Sequence, residues 1–416
     1  MKIRVTLCIQ KLAGLSGGAE RVLIDLANEL VARNCYVDIL TYEDTGGRPF
    51  YPLNSSVVVR NIKSPDNRRR SREWRRSLDE PSIERAFATL ISILDRVPIV
   101  NRLLWNAKYR RMIGRIRDFI NWHQPDVMIA FMPAMFPYVI RARNSVPNKT
   151  HVIVSNHNLP EADFESLDRW DVNRYDRSFR RRSLADAEAV TVLLPEYKDW
   201  FRPSERGNIV VLGNAIYPID SSLFSAERED TFISIGRLTK TKNHEELIRA
   251  FHSISALVPT WIVKIFGEGP LEGDLRKLIQ ELGLSDRVFL MGKSSQIPLE
   301  LSKSKTMVLP SLHEGFPLVV GEAFAAGVPV IGFEDCSGVN KLVIPQVNGL
   351  LSDHVGDRVA NLAHCMKTLA VDDATRAALS EGAKEFALSG SYSPKVIFDT
   401  WLDLITATMD NRSLRN

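Results

Sequence analysis

The sequence predicts an α/β protein built from two doubly wound parallel sheets. Apolar runs of strand length alternate with amphipathic helical segments, and this alternation occurs in two separate stretches of the chain. Strands joined by helices in this way pair in parallel. With 416 residues the chain is also too long for one ordinary core. We therefore expect two domains, 1–213 and 214–390, and a C-terminal helix in 391–416 that packs back on the first domain.

The first domain begins with a strand, a helix and a strand, in the segments IRVTLCI, GGAERVLIDLANELVARN and YVDILTY. Apolar residues of the helical segment recur at the spacing of one buried face: Val22, Leu23, Leu26 and Leu30. Residues 125–132 and 150–158 predict two further strands of the same sheet.

The second domain repeats the alternation from residue 231 onward. Its predicted strands are TFISIGRL, WIVKIFGEG, RVFLMG, TMVLPS and VPVIGF. Helices are predicted at 242–254, 270–284 and 317–327. Ligands of such folds bind beyond the carboxyl ends of the strands, so we expect the site residues on the loops that follow them. Two such domains facing each other would form one deep cleft.

Composition excludes several other classes. A hydrophobic content of 44% and a charged content of 25% are typical of a soluble globular protein. No apolar stretch reaches the roughly 18 residues of a membrane-spanning helix, and the first apolar run is too short for a signal peptide. The four cysteines form neither a disulfide framework nor a CxxC pattern, which fits a reducing cytosol. We expect a cytoplasmic protein.

Residues 64–122 match neither domain pattern and form a basic insert. Six arginines lie within 68–76, and 102–122 predicts a basic helix. The predicted buried side of that helix is Leu104, Tyr109, Met112, Ile113, Ile116 and Ile120. Five more arginines lie in 174–183. Two interpretations stay open: a solvated charged face, or a basic amphipathic surface that binds anionic lipid or a diphosphate. Three tryptophans among the arginines favour the second: Trp74, Trp105 and Trp122.

The stretch HEGFPLVVGEA, residues 313–323, places Glu314 and Glu322 around a predicted helix start. Gly315 allows a sharp turn, and Pro317 fits the first turn of a helix. Amides at a helix start have no intrahelical partner and lie at the positive end of the helix dipole. The pattern therefore predicts a site for a ligand that carries both phosphate and hydroxyl groups.

This stretch resembles the E-x7-E motif of retaining glycosyltransferases with the GT-B fold, a large family that includes sucrose synthases and bacterial polysaccharide transferases. Three further segments match the family in order: GGAER (17–21), GRLTKTKN (236–243) and FGEGP (266–270). The resemblance implies two Rossmann-like domains facing a deep cleft. It also implies sugar transfer from a nucleotide-sugar donor; UDP is the expected nucleotide, with GDP open.

The resemblance implies a role for each matched side chain. Arg237 and Lys242 would bind the donor diphosphate and stabilise the charge of the leaving nucleotide. Glu322 would accept hydrogen bonds from the ribose. Glu314 and His157 would contact the transferred sugar. We therefore expect catalytic roles for Glu314, His157, Arg237 and Lys242.

Backbone groups would complete the donor site. The resemblance places Phe316, Pro317 and Leu318 against the sugar and phosphate. Because Pro317 has no N–H, the donor role falls to the amides of Phe316 and Leu318. Gly17 and Gly18 would allow close approach of the backbone to phosphate and acceptor.

The SNHN stretch, the GGAER loop and the basic helices resemble a narrower group, bacterial transferases that extend a glycan on a polyprenyl-diphosphate carrier. This implies a lipid-linked glycan acceptor, with a soluble glycan as the alternative. Arg68–Arg76 and Arg110–Arg117 would then face the acceptor and an anionic membrane. We expect a peripheral location on the inner face of the cell membrane and no nucleic-acid partner.

No metal or cofactor is expected. No Asp lies two positions from another Asp, so the chain lacks an Asp-x-Asp metal motif. In front-face retaining transfer the donor phosphate takes the acceptor proton. Helix-start amides, Arg237 and Lys242 can replace a divalent ion.

Two other functions stay open. The glycines of GEGPLEG suggest an NAD-type oxidoreductase, but they lack G-x-G-x-x-G spacing. The arginine-rich stretches permit a non-catalytic protein that binds nucleotides or membranes. Neither function accounts for two glutamates together with Arg237 and Lys242.

Overall fold

The computed structural model describes residues 2–44, 46–63, 98–147, 150–166, 170–171, 173–219 and 227–410. The chain divides into two compact units. The first is Met1–Leu212 with Phe398–Asn416, and the second is Gly213–Ile397. Each unit contains one parallel sheet, so the predicted pair of doubly wound sheets is confirmed.

The sheet of the first unit has seven strands within the described ranges. They are β1 (Arg4–Cys8), β2 (Tyr36–Thr41), β3 (Val58–Asn61), β4 (Val127–Phe131), β5 (His151–Ser155), β6 (Ala189–Val192) and β7 (Ile209–Val211). Their order is β3-β2-β1-β4-β5-β6-β7, and all pairs are parallel. Every residue of β4 is buried, as expected for a strand with helices on both faces.

The helices of the first unit cover this sheet. They are α1 (Gly18–Ala32), α2 (Pro98–His123), α3 (Phe136–Arg143), α4 (Pro160–Phe164), α5 (Arg174–Ser183) and α6 (Pro195–Asp199). The predicted buried face of α1 is confirmed. Because β1 lies between β2 and β4, the first strand of the chain is in the interior of the sheet.

Helix α2 confirms the basic helix predicted in the insert, but its buried side differs from the prediction. Leu104 is 40% exposed, whereas Trp105 is 1% exposed. The indole Nε1 of Trp105 donates to Asp176 Oδ1 at 2.6 Å, and its ring stacks on Tyr138. The indole therefore joins α2 to α3 and α5. The arginines of 68–76 lie outside the described residues.

The sheet of the second unit has six strands among the described residues. They are β8 (Glu229–Ile235), β9 (Ile262–Phe266), β10 (Val288–Gly292), β11 (Ser304–Leu309), β12 (Val330–Phe333) and β13 (Gly349–Ser352). Their order is β10-β9-β8-β11-β12-β13, and all pairs are parallel. All five predicted strands of this domain are present.

The helices of the second unit follow the predicted pattern. They are α7 (His244–Ile254), α8 (Glu272–Glu281), α9 (Ile297–Lys303), α10 (Leu318–Ala325), α11 (Val339–Leu342), α12 (Arg358–Val371) and α13 (Asp373–Leu388), and α14 (Pro394–Met409) is the C-terminal helix. Gly327 ends α10 in the left-handed region at φ 64°. Its amide donates to Phe324 O and that of Val328 to Ala323 O, which is a Schellman motif.

The part of α14 that belongs to the first unit is held by Arg33, the residue that follows α1. The guanidinium of Arg33 forms a 3.1 Å salt bridge with Asp399 and lies over the ring of Phe398. None of the helices in the described ranges is both long and apolar enough to span a bilayer.

Candidate functional site

Two predicted cations of the second unit lie on the loop between β8 and α7. Lys242 ends a 3-10 turn, and Asn243 after it is in the left-handed region at φ 53°. Arg237 is exposed, and its guanidinium forms no hydrogen bond or ion pair with a described residue. Its guanidinium is therefore available to a ligand.

An ion pair joins this loop to the loop after β11. Lys242 Nζ donates to Glu314 Oε1, and the two side chains are 20% and 13% exposed. The amide of Leu312 donates to Thr241 O at 2.9 Å and ties the two loops together. The structure thus brings Lys242, which is predicted to bind phosphate, into direct contact with Glu314, which is predicted to bind the sugar.

Two glycines of the FGEGP segment hold the Arg237 loop in place. A Cβ at Gly267, whose φ is 144°, would lie 2.0 Å from Gly236 O, and a Cβ at Gly269 would lie 2.4 Å from Leu238 O. The amide of Leu238 donates to Glu268 O at 3.0 Å. Only glycine permits this close approach of the two loop backbones.

A third glycine supports the Glu314 loop. Gly338 has a φ of 80°, and a Cβ there would lie 2.8 Å from both Glu314 O and Gly315 O. The amide of Glu314 donates to Ser337 O at 3.1 Å. Gly338 was not among the predicted site residues; the glycine two positions after Cys336, just beyond a predicted strand, was the available signal.

Helix α10 begins one residue later than predicted. Pro317 does not lie in the first turn but precedes it, because its ψ of 104° is extended. Leu318 is the first helical residue, and Glu322 is half-buried about one turn further on. Phe316 is 5% exposed, and its ring packs edge-on against Tyr392.

The carbonyl of Phe316 accepts a hydrogen bond from Asn214 Nδ2 at 3.4 Å. The ring of Phe316 therefore packs within the fold, and its carbonyl already has a partner. The first amides of α10 lie at the carboxyl edge of β11, where a helix start favours anions.

Two buried groups beside the Lys242–Glu314 pair do not ionise near neutral pH. Burial, with the charge of Lys242 adding to it, lowers the pKa of His244 to about 4. Burial, with the charge of Glu314 adding to it, raises the pKa of Cys336 to about 12. The thiol of Cys336 is therefore protonated and is not a nucleophile.

In the first unit His157 lies two residues beyond β5. Its Nε2 lies 2.9 Å from Ser155 Oγ, which lies 2.9 Å from Thr191 Oγ1. Its ring stacks on Phe131 with centroids 4.8 Å apart. Burial lowers the pKa of His157 to about 4, so the imidazole is neutral. Its Nδ1 has no hydrogen-bond partner in the described part of the chain.

Asn156 is a site candidate that the sequence prediction missed. It is 1% exposed, and neither its Oδ1 nor its Nδ2 has a partner among the described residues. A buried amide without partners is costly, which points to a ligand or a bound water at this position. The polar run SNHN after a strand was the available signal.

The glycines of the GGAER segment start helix α1. Gly17 is the N-cap, and Gly18 is the first helical residue. No side chain caps this helix. Because β1 and β5 are separated only by β4, Gly17, Gly18 and His157 follow strand ends along the same edge of the sheet.

One group of side chains in the described ranges has metal-ligand spacing. The ligand atoms of Glu334, Asp353 and His354 lie within 4.8 Å of one another, and all three residues are exposed. His354 Nδ1 already lies 2.9 Å from Glu334 Oε1. None of the three is a predicted site residue.

Two family models match the chain. Residues 17–215 match the glycosyl transferase 4-like domain, and residues 218–386 match glycosyl transferases group 1. The two matches fall on the two units and include every predicted site residue. The chain belongs to the group 1 glycosyltransferases.

Two relatives illustrate the range of this similarity. The chain is 33% identical over 404 residues to an exopolysaccharide phosphotransferase of Streptomyces coelicolor, a match that covers 95% of this chain and 40% of that protein. It is 26% identical over 401 residues to the GalNAc-alpha-(1->4)-GalNAc-alpha-(1->3)-diNAcBac-PP-undecaprenol alpha-1,4-N-acetyl-D-galactosaminyltransferase of Campylobacter jejuni, covering 94% of this chain and 95% of that protein.

A solved structure agrees with the fold. The Anabaena HepE protein, in complex with UDP and glucose, superimposes with a TM-score of 0.70 at 17% identity, covering 97% of this chain and 100% of that one. This likeness shows the fold alone: two Rossmann-like domains of the GT-B type.

Proposed function

We propose that the protein is a retaining glycosyltransferase that transfers a sugar from a nucleotide-sugar donor, with UDP as the expected nucleotide, to a growing lipid-linked glycan in cell-surface polysaccharide or glycoconjugate biosynthesis. The observation that carries the proposal is the Lys242–Glu314 ion pair next to the unpaired Arg237, at the carboxyl ends of β8 and β11. The name of the Campylobacter relative supports a lipid-linked glycan as the acceptor. The UDP and glucose in the HepE complex support a UDP-sugar as the donor. Family membership removes the reason to consider an oxidoreductase or a non-catalytic binder.

Donor binding is proposed to exchange the partner of Lys242. A diphosphate carries more charge than one carboxylate, so it competes with Glu314 for the ammonium group. Arg237 adds a planar fork that matches phosphate oxygens. Once released from Lys242, the carboxylate of Glu314 can accept a hydrogen bond from a sugar hydroxyl.

Bond cleavage is proposed to depend on stabilising the leaving group. Negative charge develops on the phosphate oxygen as its bond to the anomeric carbon breaks. In this proposal the charge forms beside Arg237, Lys242 and the first amides of α10, and preorganised donors of this kind lower the barrier. The acceptor oxygen would bond to the anomeric carbon on the face from which the phosphate departs, so the transfer needs no protein nucleophile. The leaving phosphate would take the acceptor proton, so it needs no protein base.

We assign His157 and Glu322 to donor contacts. The imidazole of His157 is neutral, and its Nδ1 has no partner among the described residues, so it can hydrogen-bond a sugar hydroxyl without adding charge. Glu322 would accept from the ribose. Gly17 and Gly18 would admit the acceptor or the phosphate close to the start of α1.

The exposed side of α2 supports a position on an anionic membrane. Arg102, Arg110, Arg111 and Arg115 form no salt bridge with a described residue. Exposed apolar side chains share the helix: Ile99 at 72%, Leu103 at 62% and Trp122 at 84%. Such a combination suits the surface of an anionic leaflet, and we propose a peripheral location on the inner face of the cell membrane.

A transfer assay tests the proposal. Radiolabelled UDP-sugars and GDP-sugars are incubated with the protein and polyprenyl-diphosphate-linked glycans, and the anomeric configuration of the product is determined by NMR. We expect transfer with retention, and the same rate in EDTA because Arg237, Lys242 and helix amides replace a divalent ion. Transfer with inversion would contradict the retaining mechanism. Loss of transfer in EDTA with rescue by Mg²⁺ or Mn²⁺ would contradict metal independence.

A further inference from the structure

The arginines of α5 fall into two groups. Arg180 is 1% exposed and forms a 2.7 Å salt bridge with Asp176. Arg181 forms a two-point pair with Glu205, at 3.1 and 2.9 Å. Arg177 and Arg182 form no salt bridge with a described residue. The first group forms salt bridges that stabilise the fold. In the second group Arg182 lies over the ring of Tyr175, 5.9 Å from its centroid, but no described carboxylate pairs with either guanidinium.

Arg177 and Arg182 line a cavity of about 740 Å³, within the size range of small-molecule sites. Arg181 and Arg202 also line it, and so does Glu205, the carboxylate already bound by Arg181. Arg202 likewise forms no salt bridge with a described carboxylate. Three guanidinium groups without a salt-bridge partner therefore surround one concave surface.

One part of the cavity lining is apolar and well packed. Phe164, Leu184 and Phe201 line it and are 4%, 7% and 1% exposed. The rings of Phe164 and Phe201 pack edge-on with centroids 5.8 Å apart. Asn208 Nδ2 donates to Leu184 O at 3.0 Å and fixes the segment that carries this wall. The cavity is thus preformed.

The cavity lies at the edge of the sheet opposite to the site residues of this unit. Phe164 of α4 and Arg177 of α5 contribute to its lining. Most of its walls come from 181–187, which precedes β6, and from 201–208, which precedes β7. Both segments lie at the amino ends of parallel strands. His157 follows the carboxyl end of β5. The two regions of this unit are therefore distinct.

We propose that this cavity binds a phosphate ester that carries an apolar part, through Arg177, Arg182 and Arg202. Like charges around a concave surface repel each other, and an anion relieves that repulsion where the field is focused. Guanidinium groups match phosphate oxygens in pairs. The apolar wall accepts the rest of the ligand. The proposal does not depend on the sugar-transfer function.

Binding measurements with two probes test the cavity and identify the source of the phosphate. Calorimetry with phenyl phosphate, a phosphate ester with an apolar ring, reports a soluble ligand. Sedimentation with phosphatidylglycerol vesicles, compared with phosphatidylcholine vesicles, reports a lipid headgroup. Both use the whole chain carrying Arg237→Gln and Lys242→Gln, so that the proposed donor site does not contribute. In the vesicle measurement the protein also carries Arg110→Glu/Arg111→Glu/Arg115→Glu, so that the exposed side of α2 does not contribute either. We expect the double variant Arg177→Gln/Arg182→Gln to bind its probe at least about tenfold more weakly.

A matched control carries Arg249→Gln and Arg276→Gln, which remove the same charge from exposed i,i+4 pairs of the second unit. It should bind within about twofold of the parent. Arg202→Gln, on the other wall, provides an independent second variant. Weaker binding of the soluble probe or of the vesicles that occurs only in the cavity variants supports the proposal. Equal binding by cavity and control variants, or no binding of either probe by the parent, overturns it.

Discussion

Lys242 and Glu314 are the residues on which the proposed chemistry depends most. They belong to loops 72 residues apart, and each partly shields the other from water. Such a pair holds a cation in place before the donor arrives. Their pairing also explains how two glutamates of one motif can differ in role, since only Glu314 contacts a cation that is predicted to bind phosphate.

Replacing Lys242 by Ala should lower kcat/KM at least about tenfold, a loss of ~1.4 kcal/mol of transition-state stabilisation. The change removes the ammonium group and leaves the carboxylate of Glu314 without this partner. Arg237→Ala and Glu314→Ala should have effects of similar size. Lys240→Ala is the matched control, because Lys240 lies on the same turn and is exposed. Initial rates within twofold of wild type for Lys242→Ala would remove Lys242 from the mechanism.

The two buried histidines predict a pH dependence of stability. The pKa values of His157 and His244 are lowered to about 4 in the folded protein, against about 6.5 in an unfolded chain. Between these values the unfolded state binds more protons, so the free energy of unfolding falls as pH decreases from about 6.5 to about 4.

Melting temperatures measured from pH 7.5 to 4.5 check this dependence. The double variant His157→Gln/His244→Gln should lose part of the acid-induced decrease, because two of the proton-binding groups are absent. His252→Gln, on the exposed side of α7, is the control and should retain the wild-type slope. An unchanged slope in the double variant would show that the histidines do not cause it.

At the scale of elements, the strands and helices around the site were predictable because their signals are local. The apolar periodicity of 317–327 and Gly327 predicted α10 and its end. The contacts of single side chains could not be predicted in this way. Trp105 was predicted to lie among arginines on a surface, but it is buried because its indole finds Asp176, which is 71 residues away. No local pattern contains that partner.

The FGEGP turn predicts a large effect of one methyl group. Gly267→Ala should lower the melting temperature and the transferase rate, because a positive φ costs about 1–3 kcal/mol and the Cβ would overlap Gly236 O. Gly273→Ala is the control: a Cβ there meets nothing within 4 Å, and the residue lies in α8. The control should be neutral or slightly more stable. Equal thermal scans for the two variants would refute the role of the turn.

The exposed side of α2 predicts electrostatic membrane binding. The triple variant Arg110→Glu/Arg111→Glu/Arg115→Glu should remain in the supernatant when sedimented with phosphatidylglycerol vesicles, whereas wild type should pellet. Arg249→Glu/Arg276→Glu/Lys277→Glu makes the same charge change on exposed helices of the second unit. If both variants pellet like wild type, the side of α2 is only solvated.

At the scale of the whole molecule, the sequence predicted two parallel sheets and the family. It could not predict that β8 and β11 are neighbours in the second sheet, because strand order depends on contacts between distant segments. That neighbourhood is what brings the Arg237 loop and the Glu314 loop together. The family motifs identified the residues, and the sheet order accounts for their contact.

Calorimetric titration with UDP tests the central claim most directly. Wild-type protein is compared with Arg237→Ala/Lys242→Ala and with the control Lys240→Ala, and GDP and ADP are titrated in parallel. We expect wild type and the control to bind one of these nucleotides, UDP in the first place, and the double variant to bind it at least about tenfold more weakly. Equal affinity in the double variant would place the diphosphate elsewhere, and failure of wild type to bind any of the three would contradict the account.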